Sequence, residues 1–275
     1  MRVKMVKRRV TGVRIRDNVP FMQSVLRKKS AFSRVLTATV DILLPPRCLA
    51  TGVIVDAPGM VSASVWPQLQ FIEAPFCTTC GMPFSFGLAP GNDILCAACM
   101  EREPVFDAAR AAVVYNDASR AMILSFKYGD RLHAVKTFAP WMTRAGKPLI
   151  DRADCIIPVP LHNRRLRERR FNQSALLARE IAKASGKTFV PDMLLRTRHT
   201  VPQQGLTYKE RGQNVKGAFG IGKKHLHTLE GKNILLIDDV YTSGATLNEC
   251  ARVLKKAKAA SVSVLTVAKV TRDDF

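Results

Sequence analysis

The chain has 275 residues, 47% of them hydrophobic, which is enough for one substantial domain and a smaller one. Its formal net charge of +21 gathers in two places: residues 1–36 carry eleven Lys/Arg against one Asp, and residues 162–216 carry thirteen basic against four acidic residues. No run is apolar for long enough to span a bilayer, and the first thirty residues lack the apolar core of a secretory signal, so a cytoplasmic protein is expected.

Residues 1–29 have no sustained periodicity, and 1–30 is assigned as a basic disordered tail. A mitochondrial-type presequence would account for it, and so would a start placed too early, with Met22 as the true beginning. Residues 33–44 then read as a short amphipathic helix leading into Pro45-Pro46, and 31–105 is expected to be this helix plus a zinc-ribbon domain. Cys77-x-x-Cys80 and Cys96-x-x-Cys99 stand fifteen residues apart, so each pair suits a tight knuckle offering two thiolates to one tetrahedral Zn²⁺. Two disulfides are the alternative, disfavoured where cytosolic thiols stay reduced. Four thiolates leave no open position, so such a metal holds structure and does not catalyse. Cys155 and Cys250 fall in strand and helix patterns and are expected to be ordinary buried residues.

From Phe106 the pattern is α/β: a strand over 110–115, helices over 118–126 and 133–144, a strand over 155–159 and a helix over 172–184. A second strand–helix–strand unit follows, with a strand over 233–237, a helix running to about 258 and a strand over 262–267. Strands alternating with helices imply a layered parallel sheet, here assigned to 106–275. Residues 202–219 are polar, Gly-bearing and unpatterned, and are expected to form a mobile lid.

The most informative run is Ile234-Leu-Leu-Ile-Asp-Asp-Val-Tyr-Thr-Ser-Gly-Ala-Thr246. An apolar strand, two acids, a small-residue loop and a helix present a sugar phosphate to backbone N–H groups and a helix N-terminus. Gly244 lets backbone amides approach, and Thr242, Ser243 and Thr246 add hydroxyls. Asp238 and Asp239 follow where a ribose diol would lie, accepting directly or through a Mg²⁺ shell. No Lys stands where a triphosphate P-loop needs one. Upstream, Pro158-Val159-Pro160 makes a stiff turn at another strand end, with Arg164, Arg165, Arg167, Arg169 and Arg170 beyond it, dense enough to neutralise a diphosphate. A solvated basic face is the competing reading of that run.

This loop resembles the phosphoribosyl diphosphate (PRPP) motif of type I phosphoribosyltransferases. Pro-Val-Pro-Leu161, Arg-Glu-Arg-x-Phe-Asn-Gln173, Gln-x-Gly-Leu206, Arg211-x-x-Asn-Val and the Asp-Asp loop together are similar to the ComF/GntX family, as is Phe126-Lys127-Tyr128. The resemblance covers about 43–268. It implies a parallel-sheet type I phosphoribosyltransferase fold with an N-terminal zinc ribbon, linked in some bacteria to competence and DNA uptake. It further implies that Thr242, Ser243, Gly244, Ala245 and Thr246 hold a 5-phosphate, that Asp238 and Asp239 meet the ribose hydroxyls, and that Val159, Pro160, Arg164 and Arg165 surround the diphosphate. Lys127, Tyr128, Asn172, Gln173 and Arg211 are assigned to substrate or lid contacts.

Two departures from that pattern stand out. The family often has two ribbons, yet Cys48-Leu-Ala-Thr51 lacks its second Cys and Ser62-Ala-Ser-Val-Trp66 lies where the matching pair would be. One structural zinc is therefore expected, with Cys48 a leftover thiol. Arg170 stands where relatives have Gly, and would either strain the turn or add a phosphate contact. The expected function is a phosphoribosyltransferase acting on PRPP or ribose 5-phosphate with Mg²⁺, its acceptor open. The alternative is a non-catalytic competence protein binding single-stranded DNA or a helicase partner.

Overall fold

A computed structural model describes residues 45–84, 94–128, 133–201 and 205–271. The tail and the helix expected over 33–44 lie outside the described residues. From Pro46 onward the chain forms one compact unit.

The elements in order are α1 (Ala97–Glu101), β1 (Ala108–Val114), α2 (Asp117–Tyr128), α3 (Ala134–Ala145), α4 (Lys147–Arg152) and β2 (Cys155–Pro158). They continue with α5 (Asn163–Arg169), α6 (Gln173–Ser185), β3 (Thr188–Phe189), β4 (Leu194–Arg196), α7 (Tyr208–Val215), β5 (Phe219–Ile221), β6 (Asn233–Tyr241), α8 (Ala245–Lys256) and β7 (Ser261–Lys269). Five strands form a sheet in the order β1-β7-β6-β2-β3, and every pairing in it is parallel. β4 and β5 make a separate antiparallel pair.

The central strands are apolar runs because both faces are covered. Along β6, Leu235 and Ile237 face one core with Phe126, Phe138, Leu177 and Ile181 from α2, α3 and α6. Ile234 and Leu236 face the other, with Leu247, Cys250 and Leu254 of α8 and three ribbon cysteines, Cys77, Cys80 and Cys99. Alternate residues thus anchor opposite layers, as a pleated strand requires. Cys155 and Cys250 are both buried, as expected.

Two expectations are corrected. The acids, expected just beyond the strand, lie within it: β6 continues through them to Tyr241, because β7 keeps pairing as far as Val240↔Ala268 and Tyr241↔Lys269. The stretch expected to be unpatterned contains α7, whose start is fixed by a capping box: Thr207 accepts from the Glu210 N–H, and the Glu210 carboxylate accepts from the Thr207 N–H at 2.7 Å. Residues 202–204 lie outside the described residues.

From β2 the chain leads outward to β3, and from β6 it leads the other way to β7. The crevice between the carboxyl ends of β2 and β6 is thus a topological switch point, where open parallel sheets place ligands.

Candidate functional site

At that crevice lies a cleft of about 760 Å³. Its floor is the end of β6. Asp238 Oδ1 accepts from the Ser174 hydroxyl at 3.0 Å and from the Asp239 N–H at 2.9 Å. Asp239 Oδ2 pairs with Lys127 Nζ at 3.0 Å. Burial, then the neighbouring Asp239 charge, pushes the Asp238 carboxyl up to about 7, against the pull of those two donors and Lys127. Such a carboxylate holds its charge weakly and gains from any partner that supplies hydroxyl or metal contacts.

Three residues, Thr242 to Gly244, connect β6 to α8. Gly244 is the helix N-cap with φ 75°, in the left-handed region, and a Cβ there would lie 2.9 Å from Tyr241 Cε2. Only glycine fits both demands. Ala245 and Thr246, expected in the loop, belong to the first turn of α8, so the loop ends at the amino end of a twelve-residue helix, where the backbone favours anions.

The cleft gathers Asp238, Asp239, Thr242, Gly244, Ala245 and Thr246 with Val159, Arg165, Lys127, Tyr128, Gln173 and Arg211. Other expected site residues do not line it. Ser243 turns to the far side of the loop, into a second cavity beside the cysteines, where its buried Oγ has no partner. Asn172 works structurally: its Oδ1 accepts the Ser174 N–H at 3.1 Å to cap α6, and its Nδ2 donates to the Val159 carbonyl at 3.0 Å. Arg164 is exposed and paired with Glu168 one turn on, and neither it nor Pro160 lines the cleft. Arg170 adopts φ 63° at the C-cap of α5, outside the cleft lining, so its turn is strained in the way glycine would relieve.

Arg169 of the arginine run lines the cleft too, and so do Arg120, Ser174 and Arg196, which no motif in the sequence marks. Arg196 arrives from β4, far along the chain, stacked over Phe219 with its Nε buried and unpartnered. Arg211 Nε and Gln173 Oε1 are likewise buried without partners. Buried polar atoms of this kind, two donors and one acceptor, are costly unless a ligand satisfies them. A cleft that brings together several arginines, two adjacent acids and the amide end of a helix suits a phosphorylated, hydroxyl-bearing anion.

The ribbon gives a second centre. The four Sγ atoms of Cys77, Cys80, Cys96 and Cys99 lie within 4.8 Å of one another, the only such group among the described residues. Each knuckle is folded by its backbone: Gly81 N–H donates to the Cys77 carbonyl at 2.9 Å, and Met100 N–H to the Cys96 carbonyl at 3.1 Å. Burial alone would raise the Cys77 thiol, yet N–H groups of Cys80 and Cys96 bring it down to about 7. Four clustered sulfurs fit a tetrahedral Zn²⁺. Gly81 (φ 68°) also lets the knuckle sit on β1, since a Cβ there would lie 2.7 Å from the Ala109 carbonyl oxygen.

Cys48 is more than a leftover. Its knuckle keeps the turn, with Gly52 N–H donating to the Cys48 carbonyl at 2.9 Å. The thiol is fully buried; burial would raise it, but hydrogen bonds from Ser62 and Thr51 bring it down to about 6. Thr51, in place of the second cysteine, and Ser62, where the matching pair would be, are thus hydrogen-bond partners of this thiol.

The chain matches the double zinc ribbon domain family over residues 39–102 and the phosphoribosyl transferase domain family over residues 174–273. It is 28% identical over 207 residues to Competence protein F of Haemophilus influenzae, spanning 74% of this chain and 88% of that one. The similarity to this competence protein thus runs over most of both chains. Competence protein ComFC of Bacillus subtilis is 29% identical over 208 residues, 73% of this chain and 80% of that one. DNA utilization protein YhgH of Escherichia coli K12 is 29% identical over 216 residues, 73% and 87% respectively. The parallel sheet and its cleft are therefore those of a phosphoribosyltransferase-like α/β domain preceded by a zinc ribbon. No helix among the described residues is long and apolar enough to cross a membrane.

Proposed function

We propose that this protein binds PRPP with Mg²⁺ and transfers its phosphoribosyl group to an acceptor. The observation that carries the reading is the delivery of Asp238 and Asp239 by β6 into a cation-lined cleft, one turn before the Gly244-capped amino end of α8. In it the 5-phosphate takes the amides and hydroxyls of 242–246, and the two carboxylates accept from the ribose diol. Mg²⁺ comes with the diphosphate, needing only one or two carboxylates besides substrate oxygens.

Arg165, Arg196 and Arg211 then face the diphosphate. As the anomeric C–O bond breaks, its electron pair leaves with the diphosphate and the acceptor's lone pair bonds to the same carbon. The chain's contribution is electrostatic: fixed guanidinium groups meet the charge developing on the leaving group, and the acids balance the ribosyl cation. Releasing Lys127 from Asp239 opens that carboxylate to the sugar. Calorimetric titration with Mg·PRPP tests the assignment, comparing wild type with the double variant Asp238→Asn/Asp239→Asn. Loss of binding in the variant is expected, and equal affinity would remove the assignment.

A second reading, single-strand binding without catalysis, draws on the basic surface beside the cleft. Phe171, the aromatic of the arginine run, packs inward against Phe126, their ring centroids 6.3 Å apart. Tyr128 takes its place: 72% exposed, with the Arg169 guanidinium 5.3 Å from its ring centroid. Binding of an oligonucleotide across salt, with and without Tyr128→Ala, separates the two readings.

A further inference from the structure

The back wall of the loop is built against the ribbon. Lys269 ends β7 directly opposite Tyr241 in the β6–β7 register. It is 2% exposed, and its Nζ lies 3.4 Å from the centroid of the Tyr241 ring. A buried ammonium needs counter-charge. Lys269 lines one cavity with Cys80, Cys96, Cys99 and Tyr241, and the sulfurs of the four ribbon cysteines are the negative groups that act on it. Four thiolates around one Zn²⁺ leave about two net negative charges, enough to hold such a cation in place.

The Tyr241 ring is trapped on its remaining sides. Phe106 meets it edge-on at 5.9 Å, and Gly244 lies against Cε2 so closely that a Cβ would stand 2.9 Å away. A parallel route runs through Asn248 in the first turn of α8. Its Oδ1 accepts from the N–H of Val105, just past the ribbon, at 2.7 Å, and its own N–H donates to the Gly244 carbonyl at 2.8 Å. Both routes end at the residue whose left-handed turn aims the loop amides.

We propose that the tetrathiolate ribbon is a positioning part of the anion site: its negative charge holds Lys269, Lys269 holds the Tyr241 ring, and the ring holds Gly244 in its turn. Lys269 and Tyr241 touch no substrate in this scheme; they act through the loop. The inference rests on reading 242–246 as the phosphate loop, but its first readout needs no ligand.

The test uses the full zinc-loaded chain as wild type, Lys269→Met, Lys269→Arg and Tyr241→Leu. Metal analysis, amide hydrogen exchange and titration with ribose 5-phosphate are run on each. Lys269→Met is expected to keep its zinc while the amides of 243–245 exchange about tenfold faster, the order expected when a desolvated cation–π contact is lost. Ribose 5-phosphate should bind more weakly by a similar factor. Lys269→Arg restores both, and Tyr241→Leu repeats the loss with the lysine intact. Unchanged exchange in Lys269→Met and Tyr241→Leu overturns the proposal; should Lys269→Met fail to fold, Tyr241→Leu decides alone. A wild type that ignores ribose 5-phosphate sinks the proposed function instead, while the exchange data still judge the coupling.

Discussion

Asp238→Asn removes a charge that the fold tolerates poorly. The Asp238 carboxyl rises from 3.8 to about 7 through burial and the adjacent Asp239. Its folded-state pKa lies above its unfolded value, so its contribution is fully present below about pH 4 and is lost progressively as pH climbs to about 7. At about 1.4 kcal/mol per unit, the ionised group costs on the order of 4 kcal/mol at pH 8. Asparagine keeps the local bonds, because the Ser174 hydroxyl and the Asp239 N–H both donate to Oδ1, which the amide oxygen can replace. The variant should therefore match wild type near pH 4 and exceed it by a few kcal/mol at pH 8. Urea denaturation from pH 4 to 8, free of ligand and divalent ions, measures the difference. Parallel stability curves, or a variant weaker than wild type at pH 8, would refute the reasoning. The same group explains why ligand binding should strengthen as pH rises through about 7: only the ionised form accepts twice from a diol.

Other consequences follow from the same geometry. Gly244→Ala must hold a left-handed residue against the trapped Tyr241 ring, and should lose about 3 kcal/mol of stability in urea as well as anion binding. Arg170→Gly relieves the strained φ of 63° and should gain about 0.5 kcal/mol after the added freedom of the unfolded chain is counted; a loss would contradict the strain. Cys80→Ser breaks the sulfur cluster, so metal content per chain should collapse and stability fall by at least about 3 kcal/mol, with a chelator adding nothing further.

Local pattern carried much of this architecture. The run from Ile234 to Thr246 announced strand, acids, turn and helix, because buried apolar residues and a glycine needing positive φ leave their mark at short range. The knuckle cysteines did so too, since metal spacing is a local rule. The end of β6 was less legible: Asp238 and Asp239 look like a strand terminus, yet pairing with β7 carries the strand past them, and that partner is a tertiary fact. Arg196 and Ser174 reach the cleft from separate elements, and nothing in their own neighbourhoods marks them. α7 was readable but missed, since Thr207-x-x-Glu210 is a capping box hidden in a polar, Gly-bearing stretch. Ser243 illustrates the remaining limit: residues of one short loop need not all face the same cleft, and which way each turns is decided by what packs behind it, here the ribbon.

The most direct test is a crystal of the zinc-loaded protein soaked with ribose 5-phosphate. The phosphate is predicted to sit at the amino end of α8 on the amides of 243–246, with the 2- and 3-hydroxyls on Asp238 and Asp239 and Lys127 swung away from Asp239. A sugar phosphate bound elsewhere, or a pocket that stays closed at saturating concentration, would contradict it.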